Sequence, residues 1–128
     1  MAKSSGTISI ENKWNQDIKK VEIIYHCTED EYDNVFVTYN IPDNHINKNI
    51  FSISYSYTGL SAWIGNITTK DGKKWSSGSF LNCNANKAQN CQIIISFDGN
   101  KKEMTVCYPG FNICSKEMVQ IASVSDEE

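Results

Sequence analysis

The chain has no arginine, and all 12 of its basic residues are lysines. Without a guanidinium fork, bidentate recognition of phosphate or guanine is missing, so nucleic acid is not an expected partner. Proline occurs only at positions 42 and 109, and leucine only at positions 60 and 81. No apolar run approaches the ~18–20 residues of a membrane-spanning helix, so no transmembrane segment is expected. Met1 to Gly6 carries no apolar stretch of the kind that marks a secretory signal. The expectation is therefore cytoplasmic residence or leaderless secretion, or ordinary secretion if those first residues are foreign to the protein. Histidine is scarce, at His26 and His45 only, which leaves few general bases. No G-x-S-x-G, H-E-x-x-H or phosphate-cradling glycine loop occurs. The acids gather in loops and tails rather than as a pair across a cleft. On these grounds the chain is read as a protein without enzymatic activity.

The length, 128 residues, is that of one domain, spanning 1–128, with ends expected to fray at 1–6 and 123–128. Its 16 isoleucines and 14 asparagines stand out. Part of that excess is a bias toward codons rich in A and T. Isoleucine is stiff at χ1 and favours strands, whereas asparagine tolerates left-handed backbone and favours turns. The decisive signal is alternation. In Phe51-Ser-Ile-Ser-Tyr-Ser-Tyr57 the large side chains and the serines fall on opposite faces, as in a half-buried strand. Similar alternation predicts strands over Thr7–Ile10, Ile18–Cys27, Asn34–Asn40, Ala62–Thr69, Lys73–Leu81, Cys91–Phe97 and Glu103–Tyr108. Asp71-Gly72 and Asp98-Gly99-Asn100 are hairpin signals. About eight short strands at this spacing predict an all-β fold, a single antiparallel β-sandwich, immunoglobulin-like or aegerolysin-like. Short helical turns are expected near Ala85–Gln89 and Lys116–Val119.

Several residues carry a resemblance. Ile8-Ser-Ile-Glu-Asn12 is a strand ending in asparagine, and Asp17–His26 is a second strand before an acidic loop. Tyr55-Ser-Tyr-Thr-Gly59, then Trp63, a glycine hairpin, a cysteine-bearing Asn-rich loop and Gln92–Phe97 follow in order. This layout over residues 7–108 resembles a small secreted β-sandwich family of nematodes and fungi, named for its up-regulation in long-lived insulin-receptor mutants. More distantly it is similar to the aegerolysins, sandwiches that bind membrane lipids. The resemblance implies the architecture and a role in host defence or surface recognition.

Three kinds of recognition site are expected. The first is a glycan site, where an exposed indole stacks on a sugar and neighbouring amides and hydroxyls bond to it. The candidates are Trp75, Ser77, Asn82, Asn84 and Asn86, in a lectin-like module at a cell surface, serving defence or adhesion. A two-residue loop at Asp71-Gly72 would set Trp75 opposite Thr68. Trp63 and Trp75 then do not stack, and one belongs to the core and the other to the surface. The second is a membrane-surface site, with Trp14, Tyr57 or Phe111 as wedges. The third is a protein-binding face, a homodimer included. No cofactor is expected. The acidic loop Thr28–Asn34 is a calcium candidate through Glu29, Asp30 and Asp33, against the simpler reading of a solvated acidic turn.

The five cysteines, Cys27, Cys83, Cys91, Cys107 and Cys114, include no C-x-x-C pair, so a structural zinc site is not expected. They are read either as reduced thiols or as two bridges, Cys83–Cys91 and Cys107–Cys114. Asn66-Ile67-Thr68 is a glycosylation sequon placed mid-strand.

Overall fold

The computed structural model describes residues 3–28, 30–56, 59–84, 91–110 and 112–121. Every regular element among them is a strand. In chain order these are β1 (Lys3–Lys13), β2 (Ile18–Cys27), β3 (Asn34–Ile41), β4 (Ile46–Ser56), β5 (Ser61–Thr69), β6 (Lys74–Ser76), β7 (Leu81–Asn82), β8 (Cys91–Asp98), β9 (Glu103–Tyr108), β10 (Asn112–Glu117) and β11 (Val119–Ile121). They form two packed sheets, a β-sandwich. The first has the order β10-β9-β8-β1-β4 and the second β11-β6-β5-β2-β3, with β7 continuing beside β5.

Alternation explains which side of each strand is buried. Ile8 and Ile10 of β1 pair with Ile93 and Ile95 of β8, and all four face inward with almost no exposed surface. In the second sheet, Val21, Ile23 and Tyr25 of β2 pair with Ile67, Gly65 and Trp63 of the neighbouring β5. The Tyr25 and Trp63 rings pack at a tilt of 47°, with centroids 4.5 Å apart. Burying such side chains contributes about 1.5–3 kcal/mol each. The indole nitrogen of Trp63 donates to the Tyr108 hydroxyl (3.1 Å), which in turn donates to the Cys83 carbonyl (2.8 Å). Burial pushes the Tyr108 phenol far above its ordinary pKa, so it stays a neutral donor.

Four sequence expectations are corrected. Lys3–Gly6, expected as part of a frayed end, is instead paired through its backbone with Ile53–Ser56 of β4; residues 1, 2 and 123–128 lie outside the described part. The sandwich is not wholly antiparallel, since β1 and β8 run parallel. Parallel partners need a long crossover, and no local pattern announces a partner that far along the chain. The strand expected over Lys73–Leu81 is split into β6 and β7, with Gly78 between them at φ +78°. The helical turn expected near Lys116–Val119 is instead the end of β10 and the start of β11. The one expected at Ala85–Gln89 lies outside the described residues.

The hairpin between β5 and β6 also differs by one residue. Thr69 N–H donates to the Lys73 carbonyl, closing a three-residue loop, Lys70-Asp71-Gly72, with Gly72 at φ +88°. Trp75 therefore opposes Ile67, not Thr68. A one-residue shift moves a side chain to the other face of a sheet. Trp75 accordingly turns inward and meets Trp14 edge-on, with centroids 5.2 Å apart.

Candidate functional site

The residues expected to form a glycan site do not converge. Trp75 is half-buried, with the Lys102 ammonium 5.6 Å from its ring centre as well as Trp14 against it. It presents no bare indole. Ser77 is buried, and its Oγ accepts the Gly65 N–H at 2.9 Å. Asn84 Oδ1 accepts the Ser61 N–H at 2.6 Å, and the Asn84 carbonyl accepts from the Asn112 amide. Both side chains hold strands together. Asn82 is exposed but pairs with Ala62, five positions along β5 from the partner of Trp75. That is about 17 Å along the strand. Asn86 lies outside the described residues.

The calcium set is also divided. Asp33 Oδ1 lies 2.8 Å from His26 Nδ1, so its carboxylate orients the imidazole. Asp30 caps a turn through its N–H to the Cys27 carbonyl. Glu29 lies outside the described residues, and among those described no three metal-ligating side chains come together. Of the expected membrane wedges, Trp14 is buried in the core, which removes it. Tyr57 and Phe111 lie outside the described residues. No hydroxyl or thiol is bonded to His26 among the described residues, and His45 stands exposed in the β3–β4 turn.

The outward face of the second sheet does bring chemistry together. Cross-strand pairing sets Tyr39, Lys20, Thr68, Lys74 and Ile121 in one row across β3, β2, β5, β6 and β11. The next row is Val37, Glu22, Asn66, Ser76 and Val119. Between them lies a shallow cleft of about 210 Å³, lined by Lys20, Glu22, Asn66, Thr68, Lys74 and Ile121, with Ile67 and Trp75 of β5 and β6 also contributing. Asn66 Nδ2 donates to Glu22 Oε1 at 2.9 Å, which fixes the amide and leaves its carbonyl oxygen and the second carboxylate oxygen as acceptors. Lysine ammoniums and the Thr68 hydroxyl supply donors. Apolar side chains flank this polar floor, with Tyr39 60% exposed at one side and Ile121 42% exposed at the other.

Sequence reasoning missed this cleft although β2, β3 and β5 were legible; β6 was expected as part of a longer strand and β11 was not expected as a strand. The signal available was Tyr39, Lys20 and Thr68 at outward positions, but only pairing puts them in one row. No protein-family model matches the chain, and no curated protein is significantly similar to it.

Proposed function

We propose that the chain is a non-catalytic recognition module that binds carbohydrate on the outward face of its second sheet. One observation carries the reading: donors and acceptors converge on a shallow cleft flanked by an exposed tyrosine. A saccharide has an apolar C–H face and a rim of hydroxyls that each donate and accept. Tyr39 suits the first, and Glu22, Asn66 and Thr68 suit the second. Hydrogen bonds from sugar hydroxyls to a carboxylate or ammonium are charge-assisted, which offsets the shallow burial.

A glycan array probed with the intact chain tests this, with Asn66→Ala and Tyr39→Ala as comparisons. Binding to a defined set of saccharides, weakened about tenfold or more by either substitution, is expected. No binding at millimolar saccharide, or binding indifferent to both substitutions, overturns it.

A second reading rests on a different observation. β3 is an edge strand, and Val35, Val37 and Tyr39 stand exposed along it. An unpaired strand edge beside apolar side chains is the surface to which a protein partner, a second copy included, adds by main-chain pairing. Sedimentation equilibrium separates self-association from a monomer. A concentration-independent monomer mass removes the homodimer.

A further inference from the structure

Resting on the edge-strand reading of β3, we infer that its partner is a second copy of the chain, paired antiparallel about a two-fold axis at Val37. Exposed strand edges invite pairing, and folds blunt them with short length, charge, proline or bulges. The other edges of this sandwich are blunted. β7 and β11, which border the second sheet on the side away from β3, have two and three residues. β10 carries Lys116 and Glu117. β4 carries Lys48 within a bulge, where Ile8 of β1 pairs with Phe51 but Ile10 with Asn47. From Asn34 to Tyr39, β3 has none of these devices. That stretch holds no charged residue and no proline, and it pairs with β2 in unbroken register, from Tyr25 opposite Asn34 to Lys20 opposite Tyr39. The left-handed Asn40 lies beyond it.

The side chains of β3 select the occupant. On the inner side the Phe36 ring packs on Phe51 of β4, with centroids 5.0 Å apart, so the chain fills that side itself. On the outer side Val35, Val37 and Tyr39 are 56%, 37% and 60% exposed. Among the described residues no strand but β2 pairs with β3. Antiparallel pairing centred on Val37 sets Val37 against the partner's Val37, and Val35 against the partner's Tyr39 on either side. β-Branched and aromatic residues make favourable cross-strand pairs. The strand is thus complementary to itself, and pairing desolvates no charge. Charge also decides the direction. Glu31 and Asp33 precede the strand, so parallel pairing would set the acids of both copies side by side, whereas antiparallel pairing sends them to opposite ends. The two-fold uses up both β3 edges, so assembly closes at two copies.

Pairing in this register joins the second sheets of the two copies into one, with their outward faces on the same side. Val35, Ile24 and Ile64 form an apolar row across β3, β2 and β5. In the dimer that row runs into the partner's row of Tyr39, Lys20 and Thr68, which borders the cleft. The partner's Val35 then lies against Tyr39 and adds to the apolar flank of the cleft. The two Asn66 residues are five strand spacings apart, roughly 24 Å. On the carbohydrate reading, a glycan with repeating units engages both clefts at once, and its second contact is intramolecular.

Sedimentation equilibrium of the intact chain from about 1 μM to 1 mM tests the inference. The mass is expected to rise from monomer to dimer and to stop there. Val37→Lys sets two ammoniums face to face, and Val37→Glu two carboxylates. Each alone should weaken the dimer about tenfold or more, and an equal mixture of the two should restore it, which also shows that both variants fold. In a dimer of labelled and unlabelled chains, isotope-filtered NOEs should join the Val35 methyls to the Tyr39 ring, which lie about 13 Å apart within one strand. A dimer indifferent to both substitutions, a mixture that stays monomeric, or NOEs joining Val35 to Val35 each overturn the inference. A monomer at every concentration also overturns it. If its β3 amides that do not bond to β2 exchange freely, the edge stays open to a different protein; if they are protected, the edge-strand reading falls as well. A dimer that binds no saccharide upholds the pairing and overturns the carbohydrate reading, and a monomer that binds saccharide does the reverse.

Discussion

At the scale of single residues, asparagine does specific work in this fold. Among the described residues, four of the five non-glycine residues with positive φ are asparagines, at 15, 40, 44 and 49. The sequence signalled turns by its asparagine content, and these positions are where the tolerance is used. Asn12 was legible only as a strand end. In the fold it is fully buried, donates to the Gln16 and Ile41 carbonyls at 2.9 Å each, and accepts from the Trp14 N–H. Nothing local to Asn12 reveals a partner 29 positions away. Asp71 shows how a turn residue becomes a pH-sensitive one. The Thr69 hydroxyl donates to its carboxylate at 2.5 Å and the Lys73 N–H at 3.1 Å, and these bonds hold its pKa below the usual aspartate range. A depressed pKa stabilises the fold above the unfolded value, about 3.9. That stabilisation disappears as pH falls through the lower folded value. Carboxyl NMR titration should find Asp71 titrating below the usual aspartate range, and Thr69→Val should move its midpoint upward. A midpoint unchanged by Thr69→Val would remove the hydroxyl as the cause.

At the scale of elements, strand positions were readable because alternation is a local property. Ile18–Cys27 and Glu103–Tyr108 carry the expected boundaries unchanged. Pairing is not local, and that is where the reading fell short. One residue in the length of the β5–β6 loop reversed the face of Trp75 and so removed the expected sugar platform. The short strands β10 and β11 exist through their partners β9 and β6, not through any strong pattern of their own. Gly65 on β5 is another consequence of pairing. A Cβ there would run into the Met104 sulfur and the Phe97 ring of the opposite sheet, the ring atoms at 3.0 and 3.2 Å. Gly65→Ala should therefore overpack the interface between the sheets and cost about 1–3 kcal/mol. Urea denaturation measures it. An unchanged or raised midpoint would mean that Met104 and Phe97 move aside freely.

At the scale of the whole molecule, the two sheets are fastened by a disulfide from Cys83, just after β7, to Cys114 on β10. This corrects both expected bridges. Sequence proximity suggested Cys83–Cys91 and Cys107–Cys114, but Cys91 and Cys27 are buried as thiols and Cys107 is partly exposed. Cys107 and Cys114 lie on opposite faces of the same sheet, because Cys114 opposes buried Val106 and Cys107 opposes exposed Ile113. A bridge spanning 31 positions should stabilise the fold by about 3–4 kcal/mol through the entropy of the unfolded chain. Denatured, unreduced protein should titrate as three free thiols, and Cys114→Ser should lower the melting temperature by roughly 10 °C. Five free thiols would refute the bridge.

We propose the outward face of the second sheet as the recognition surface, with the cleft of Lys20, Glu22, Asn66 and Thr68 at its centre. The most direct test of that claim is an amide chemical-shift map of the isotopically labelled chain, recorded during titration with the best-binding saccharide. The expected perturbations cluster at Lys20, Glu22, Asn66, Thr68, Lys74 and Tyr39, and fade toward β8 and β9. A map centred instead on the outward face of β8, β9 and β10, or one spread evenly over both sheets, would contradict it.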